Sequence, residues 1–130
     1  MPVTLELQEY GRVLIYTFVD PWEIGDLIAL YPQSLDYLRA AQRKIYTLAD
    51  VRRAKKIPSG ILNLRHGPDW SHPNGGAVAI VGASALLRTF ASIVFHLSGF
   101  EHATYYDSTD EAWAYLRSVL SDEAETSTER

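Results

Sequence analysis

The sequence contains no cysteine among its 130 residues. This absence excludes a disulfide framework, a thiolate zinc site, an iron–sulfur cluster and a cysteine nucleophile. The sequence also has no apolar run close to the roughly 18 residues that span a bilayer, and its first residues show neither the basic flank nor the apolar core of a signal peptide. We therefore expect a cytoplasmic protein with no stable membrane insertion.

The chain also carries little net charge outside its C-terminal residues. The whole chain carries −4, and residues 121–130 hold four acids and one base, which leaves the remainder close to −1. This balance argues against a nucleic-acid partner. With 47% hydrophobic and 22% charged residues, we expect one folded domain over residues 1–120 and a disordered acidic tail over 121–130.

The order of hydrophobic patterns predicts an α/β fold. Alternation from Val3, followed by the apolar run Val13–Val19, predicts an N-terminal β-hairpin. Three further strands are predicted at 45–50, 77–81 and 104–106, with 13–19 and 77–81 as central strands because they are apolar on both faces. Intervening helical patterns predict four helices on a five-stranded, mixed, mostly parallel sheet. Residues 51–58 and 67–76 are predicted loops.

Helix ends carry recognisable signals. Asp20, Pro21 and Glu23 predict the start of a helix that continues, kinked at Pro32, to about residue 42. Ser84 is the expected cap of the third helix, and Ser108 with Glu111 that of the fourth. The inward face expected for the third helix consists of Leu86, Phe90, Ile93, Val94 and Leu97.

The element order, the hairpin, and the strand, loop and short helix around Ser59 resemble the STAS fold of anti-sigma factor antagonists, specifically the SpoIIAA-like group. The resemblance covers roughly residues 3–120. In that family a strand leads into an Asp-Ser-Ser-Gly motif whose second serine is phosphorylated by a partner kinase. The corresponding pair here is Ser59-Gly60, preceded by Ile57 and Pro58 in place of Asp and Ser. The resemblance implies a non-enzymatic regulatory or protein-interaction module.

The region before Ser59 is strongly basic. Seven of the twelve cations lie in residues 39–56 with one acid, Asp50, and they are Arg39, Arg43, Lys44, Arg52, Arg53, Lys55 and Lys56. Such a cluster suits an acidic or phosphorylated partner, an anionic ligand or membrane headgroups, or is simply a solvated loop. Ser59 is either a phosphorylation switch or the cap of the short helix. Trp70, in a polar loop, either contacts a partner or folds beneath the loop.

One loop has the spacing of a metal site. His66, Asp69 and His72 carry ligand-type side chains. Gly67, Pro68 and Pro73 interrupt the segment, so helical spacing cannot hold the three on one face. We predict no bound metal and no cofactor.

These patterns leave three functions open. The first is a STAS-like module that binds a protein partner of unknown identity, with a homodimer left open. The second is a small-ligand, lipid-like binding domain of SEC14-like architecture, which an enlarged apolar cavity would favour. The third is a metal-dependent enzyme built on the histidine loop.

Overall fold

The computed structural model describes residues 2–64 and 67–128 of the chain. Five strands form one sheet in the order β1-β2-β3-β4-β5, with β1 antiparallel to β2 and all other neighbours parallel. The strands are β1 Val3–Gln8, β2 Val13–Val19, β3 Ile45–Arg53, β4 Gly75–Val81 and β5 Ala103–Tyr106. The predicted α/β fold with an N-terminal hairpin is confirmed, and so is the central position of β2 and β4.

Six helical segments connect and cover these strands. They are α1 Ile24–Ile28, α2 Tyr31–Ala40, a 3₁₀ helix at Ile61–Asn63, α3 Pro68–Ser71, α4 Ala85–Leu97 and α5 Thr109–Thr128. None of the helices in the described ranges is both long enough and apolar enough to cross a bilayer.

Alternation along the strands gives the sheet two apolar faces. On one face, here called the inner face, Tyr16, Phe18 and Ile80 pack with residues of α1 and α4 and of the 3₁₀ helix. On the other face, Ile15 and Leu48 pack against α5. The sheet is therefore covered on both sides, as near-continuous apolar strands require.

The first helical region differs from the predicted single kinked helix. The helix begins at Ile24 rather than near Pro21, because the Asp20 carboxylate accepts hydrogen bonds from the backbone N–H groups of Lys55 and Lys56 instead of capping a helix. A new helix begins at Tyr31, with Pro32 in its first turn. A proline there needs no N–H donor, whereas within a continuous helix it would break a hydrogen bond.

Both predicted loops contain regular structure. Strand β3 continues to Arg53, which pairs with Val19, so the predicted loop from residue 51 begins three residues later. The predicted loop 67–76 contains α3 and the start of β4. Gly76 begins the buried part of β4. A Cβ at this position would lie 2.5 Å from the Tyr46 ring, so the close packing requires glycine. A glycine pair that looked like a turn is thus a close approach inside the sheet.

Helix α4 begins as predicted, since the Ser84 hydroxyl accepts a hydrogen bond from the Leu87 N–H at 3.2 Å. Its inward face is confirmed at Val94, which is buried, and at Phe90, which packs against the core, but Leu87 rather than Leu86 is the buried leucine of the first turn. Three residues assigned to that face are exposed, namely Leu86, Ile93 and Leu97. Leu86 and Leu87 are neighbours, so the sequence is compatible with two rotations of the helix.

The predicted acidic tail, residues 121–130, is helical as far as residue 128, and residues 129–130 lie outside the described residues. Helix α5 continues to Thr128, and the Glu123 carboxylate accepts hydrogen bonds from the Arg12 guanidinium and the Tyr46 hydroxyl. These contacts compensate for the low apolar content on which the prediction of disorder was based.

Candidate functional site: an apolar cavity beneath the inner-face helices

A cavity of about 110 Å³ lies between the inner face of the sheet and the helices that cover it. Its walls come from β2, β3 and β4, from α4, and from the segments around α1, α3 and the 3₁₀ helix. Most of the lining is aliphatic or aromatic. The aliphatic lining residues are Leu27, Ala49, Val51, Ile61, Leu64, Val78, Ile80, Leu87, Ala91 and Val94.

Small and aromatic side chains together explain why space remains there. Ala49 on β3 and Ala91 on α4 both line the cavity with a single methyl group. The surrounding rings hold one another at a distance: Phe18 meets Trp22 edge-on at 4.9 Å between ring centroids, and Trp70 meets Phe95 at 5.4 Å. Edge-on contacts between aromatic rings are favourable, so closing the cavity by rotating one ring would sacrifice such a contact.

One carboxyl group, that of Asp69 on α3, lines this apolar space. Asp69 is 3% exposed. Its Oδ2 accepts a hydrogen bond from the Tyr16 hydroxyl at 2.6 Å, and its Oδ1 accepts one from the Ser34 hydroxyl at 2.9 Å and a longer one from Thr47 at 3.4 Å. These donors belong to β2, α2 and β3, so Asp69 links four elements of the fold.

Burial dominates the electrostatics of this group. Desolvation raises the pKa of Asp69 above its ordinary value, although the hydrogen bonds from Tyr16, Ser34 and Thr47 act in the opposite direction. Burial also raises the pKa of the Tyr16 hydroxyl, and the Asp69 charge raises it further. Burial therefore shifts the titration of both groups towards the neutral form. Because both carboxyl oxygens are already hydrogen-bonded, the cluster is suited to holding a fixed polar wall rather than to abstracting a proton.

Two buried polar atoms near this region have no hydrogen-bond partner among the described residues. They are the indole Nε1 of Trp22, which lines the cavity, and the hydroxyl of Tyr31. Burial and the nearby Asp69 charge raise the pKa of Tyr31, so its hydroxyl keeps its proton. Buried donors without partners are rare in native proteins.

Ser59 does not cap the short helix, so that part of the prediction is wrong. The 3₁₀ helix begins after Gly60, which has a φ of +81°, and no side chain caps it. Ser59 is exposed. Its assignment as a switch residue stays a prediction.

The basic residues do not form one cluster. Strand β3 runs from Ile45 to Arg53, and nine strand residues cover roughly 30 Å. Arg43 and Lys44 therefore lie at one end of the sheet, and the candidate anion-binding residues Arg52, Arg53, Lys55 and Lys56 at the other. All four of these are exposed, and Arg52 forms a bidentate pair with Asp50 at 2.8 and 2.9 Å.

Trp70 is partly buried beneath the region predicted to be a loop. It packs edge-on against Phe95 and Tyr31 and lines the cavity. The ring therefore folds beneath this segment, which is one of the two roles predicted for it.

The metal-type residues have other contacts. His66 lies outside the described residues. Asp69 is enclosed by the three hydroxyls, and the His72 Nδ1 accepts a hydrogen bond from the Asn74 N–H at 3.0 Å. Within residues 2–64 and 67–128, no three side chains of metal-ligand type come together.

Sequence reasoning missed the cavity and the Asp69 cluster, although a signal for the cluster was present. Tyr16 and Thr47 lie within the predicted strands 13–19 and 45–50, Ser34 lies within the predicted first helix, and all three are buried. Three buried hydroxyls require partners, and a carboxylate near Pro68 could have been sought as the common acceptor. No protein-family model matches the sequence, and no curated protein is significantly similar to it.

Proposed function

We propose that this protein binds a small apolar molecule in the cavity beneath the inner-face helices, without catalysing a reaction. The observation that supports this proposal is the cavity itself, about 110 Å³ in volume with mostly apolar walls. Apolar cavities of roughly 150 Å³ stay dry and bind ligands such as benzene. The cavity therefore suits a ligand of about ring size.

The energetic cost of an empty cavity supports the same view. At about 24 cal/mol per Å³, a void of this volume would cost about 3 kcal/mol. That is a large part of the 5–15 kcal/mol that stabilises a typical domain. A bound ligand that fills the cavity would recover this loss.

Thermal unfolding with and without benzene or cyclopentanone tests the proposal. A ligand present at about ten times its Kd adds about 1.4 kcal/mol of stability, so we expect Tm to rise by several degrees. Ala91→Leu fills the cavity from α4, and Ala49→Val fills it from β3. Both variants should lose the ligand-dependent rise.

A matched control is Ala114→Leu, at an exposed position of α5 on the other side of the sheet. It should keep the full response. If the wild-type Tm does not respond to either probe, or if the filled variants respond as strongly as the wild type, the cavity is a packing defect and the proposal is wrong.

We also propose, as a second candidate, that the chain is a STAS-like interaction module whose partner contacts the loop around Ser59. The supporting observation is that Ser59, Lys55 and Lys56 are all exposed after β3, and that the Ser59 hydroxyl does not cap the helix. An exposed hydroxyl three to four residues after two exposed cations suits a phosphorylated or acidic contact.

Co-purification from native cells, with partners identified by mass spectrometry, tests the second candidate. A Lys55→Glu, Lys56→Glu double variant should lose the partner. Arg39→Glu, an exposed change on α2, should retain it. Equal recovery in both variants would place the contact elsewhere. A phosphorylated Ser59 peptide, with partner release by Ser59→Asp, would identify the loop as a switch.

A further inference from the structure

Trp22, in the cavity wall, carries a buried hydrogen-bond donor without a partner among the described residues. The residue is only 6% exposed and lines the cavity, and its Nε1 has no hydrogen-bond partner in the described part of the chain. An indole nitrogen can donate but cannot accept. A ligand atom that satisfies Trp22 must therefore be an acceptor.

The other polar groups of the cavity determine which charge a ligand can carry. The hydroxyls of Tyr16 and Thr47 donate to Asp69, whose carboxyl is the only acidic group among the described lining residues. Within residues 2–64 and 67–128, no lysine, arginine or histidine lines the cavity. A carboxylate or phosphate inside would find no counter-charge among these residues, would lie near Asp69, and would lose its hydration.

From these two observations we propose that the ligand is a neutral apolar molecule with one hydrogen-bond acceptor, a carbonyl or ether oxygen, that accepts the Trp22 indole N–H. This inference rests on the proposed ligand-binding function and specifies its ligand class. Anionic amphiphiles such as fatty carboxylates are excluded by the same argument.

Three probes of similar shape distinguish a neutral ligand with an acceptor, a neutral ligand without one, and an anion. They are cyclopentanone, methylcyclopentane and cyclopentanecarboxylate. The measured quantity is the ratio of the ketone affinity to the hydrocarbon affinity, compared between wild type and Trp22→Phe. The aromatic substitution changes the cavity equally for both probes but removes the donor. We expect the ratio to fall about five- to tenfold, as the loss of one hydrogen bond predicts.

Trp113→Phe is the matched control, because Trp113 packs on the α5 side of the sheet. It should leave the ratio unchanged. In wild-type protein, the NMR signal of the Trp22 indole N–H should shift with cyclopentanone and not with methylcyclopentane. That measurement stands even if Trp22→Phe does not fold.

The outcomes distinguish an error in the ligand class from an error in the proposed ligand-binding function. If both neutral probes bind but the ratio and the indole signal do not change, the acceptor inference is wrong and the ligand-binding function remains. If cyclopentanecarboxylate binds as tightly as the ketone, the restriction to neutral ligands is wrong. If none of the three probes binds, the proposed function fails and the inference fails with it.

Discussion

The carboxyl of Asp69 is held inside the apolar layer by hydroxyl donors from three other elements. Its sequence neighbours gave it the appearance of a loop residue, because Gly67, Pro68 and Pro73 surround it. Distant residues decide its environment instead. Local patterns cannot reveal such a contact, because Tyr16 lies 53 positions earlier in the chain.

Asp69→Asn should change how stability depends on pH. Below about pH 4 both the folded and the unfolded state hold the Asp69 proton. Above that value the unfolded state releases it first, since burial raises the pKa of Asp69 in the folded state. The folded state then binds more protons, so its stability falls as pH rises until the raised pKa is passed.

We therefore expect the free energy of unfolding of the wild type, minus that of Asp69→Asn, to be greatest near pH 4 and to decrease towards neutral pH. Urea denaturation across this range measures it. Ser34→Ala removes a hydrogen bond that favours the ionised form of Asp69. In that variant the stability should therefore go on decreasing to a higher pH than in the wild type. A difference that instead grows with pH would mean that the hydroxyls stabilise the carboxylate more than burial destabilises it.

Gly60→Ala should destabilise the protein more than Ser59→Ala. The left-handed φ of Gly60 is +81°, and a Cβ there would have room, with the nearest atom at 3.7 Å. The cost is thus backbone strain of about 1–2 kcal/mol. Ser59 is exposed and caps nothing, so its truncation should stay within about 0.5 kcal/mol. Thermal melts of both variants decide the order, and the reverse ranking would restore Ser59 as a cap.

At the scale of elements, the sequence was informative about strands and less so about helix limits. The apolar runs of β2 and β4 identify them because a two-sided apolar strand suits only the middle of a covered sheet. Helix limits depend on which polar side chain caps which end. Asp20 was a reasonable cap for α1. Its carboxylate instead accepts hydrogen bonds from the backbone N–H groups of Lys55 and Lys56, 35 and 36 positions later in the chain.

Helix α5 gives a prediction at this scale. A chain that ends at Leu120 loses Glu123 and its hydrogen bonds to Arg12 and Tyr46. Tyr46 is buried and the Arg12 side chain is 18% exposed, so we expect a loss of about 1 kcal/mol or more, which lowers Tm by about 4 °C. Thermal unfolding of the shortened chain measures this loss.

A chain that ends at residue 128 keeps Glu123 and should melt like the full chain. Glu123→Ala in the full chain should reproduce most of the loss seen after truncation at Leu120. Equal Tm values for all of these chains would show that residues 121–128 add nothing to stability.

For the whole molecule, the fold class followed from the sequence because every strand pattern agreed with one arrangement of the sheet. The cavity did not follow, because it depends on where Ala49 and Ala91 meet several aromatic rings. Packing gaps are set by three-dimensional neighbours, and no periodic pattern encodes them. The candidate site is therefore the part of this protein that required the structure.

Hydrogen exchange should reflect the order of the strands. Strands β2, β3 and β4 have neighbours on both sides, whereas β1 and β5 are the two edges. Amides of the central strands should exchange most slowly, because opening them requires loss of the whole sheet. Exchange of backbone amides measured by NMR checks this, and protection of β5 equal to that of β4 would indicate that the edge is covered.

The strand order also has a consequence for synthesis on the ribosome. Each strand pairs with the strand made immediately before it, so the sheet can be extended in one direction as the chain emerges. Nascent chains that halt after β3 already contain the residues of three adjacent strands. The hydrogen bond from Arg12 to Glu123, 111 positions apart, is one of the contacts that must wait for the last helix, as are those from Tyr46 to Glu123 and from Arg117 to Glu9. It joins the final turns of the newest element to the first hairpin.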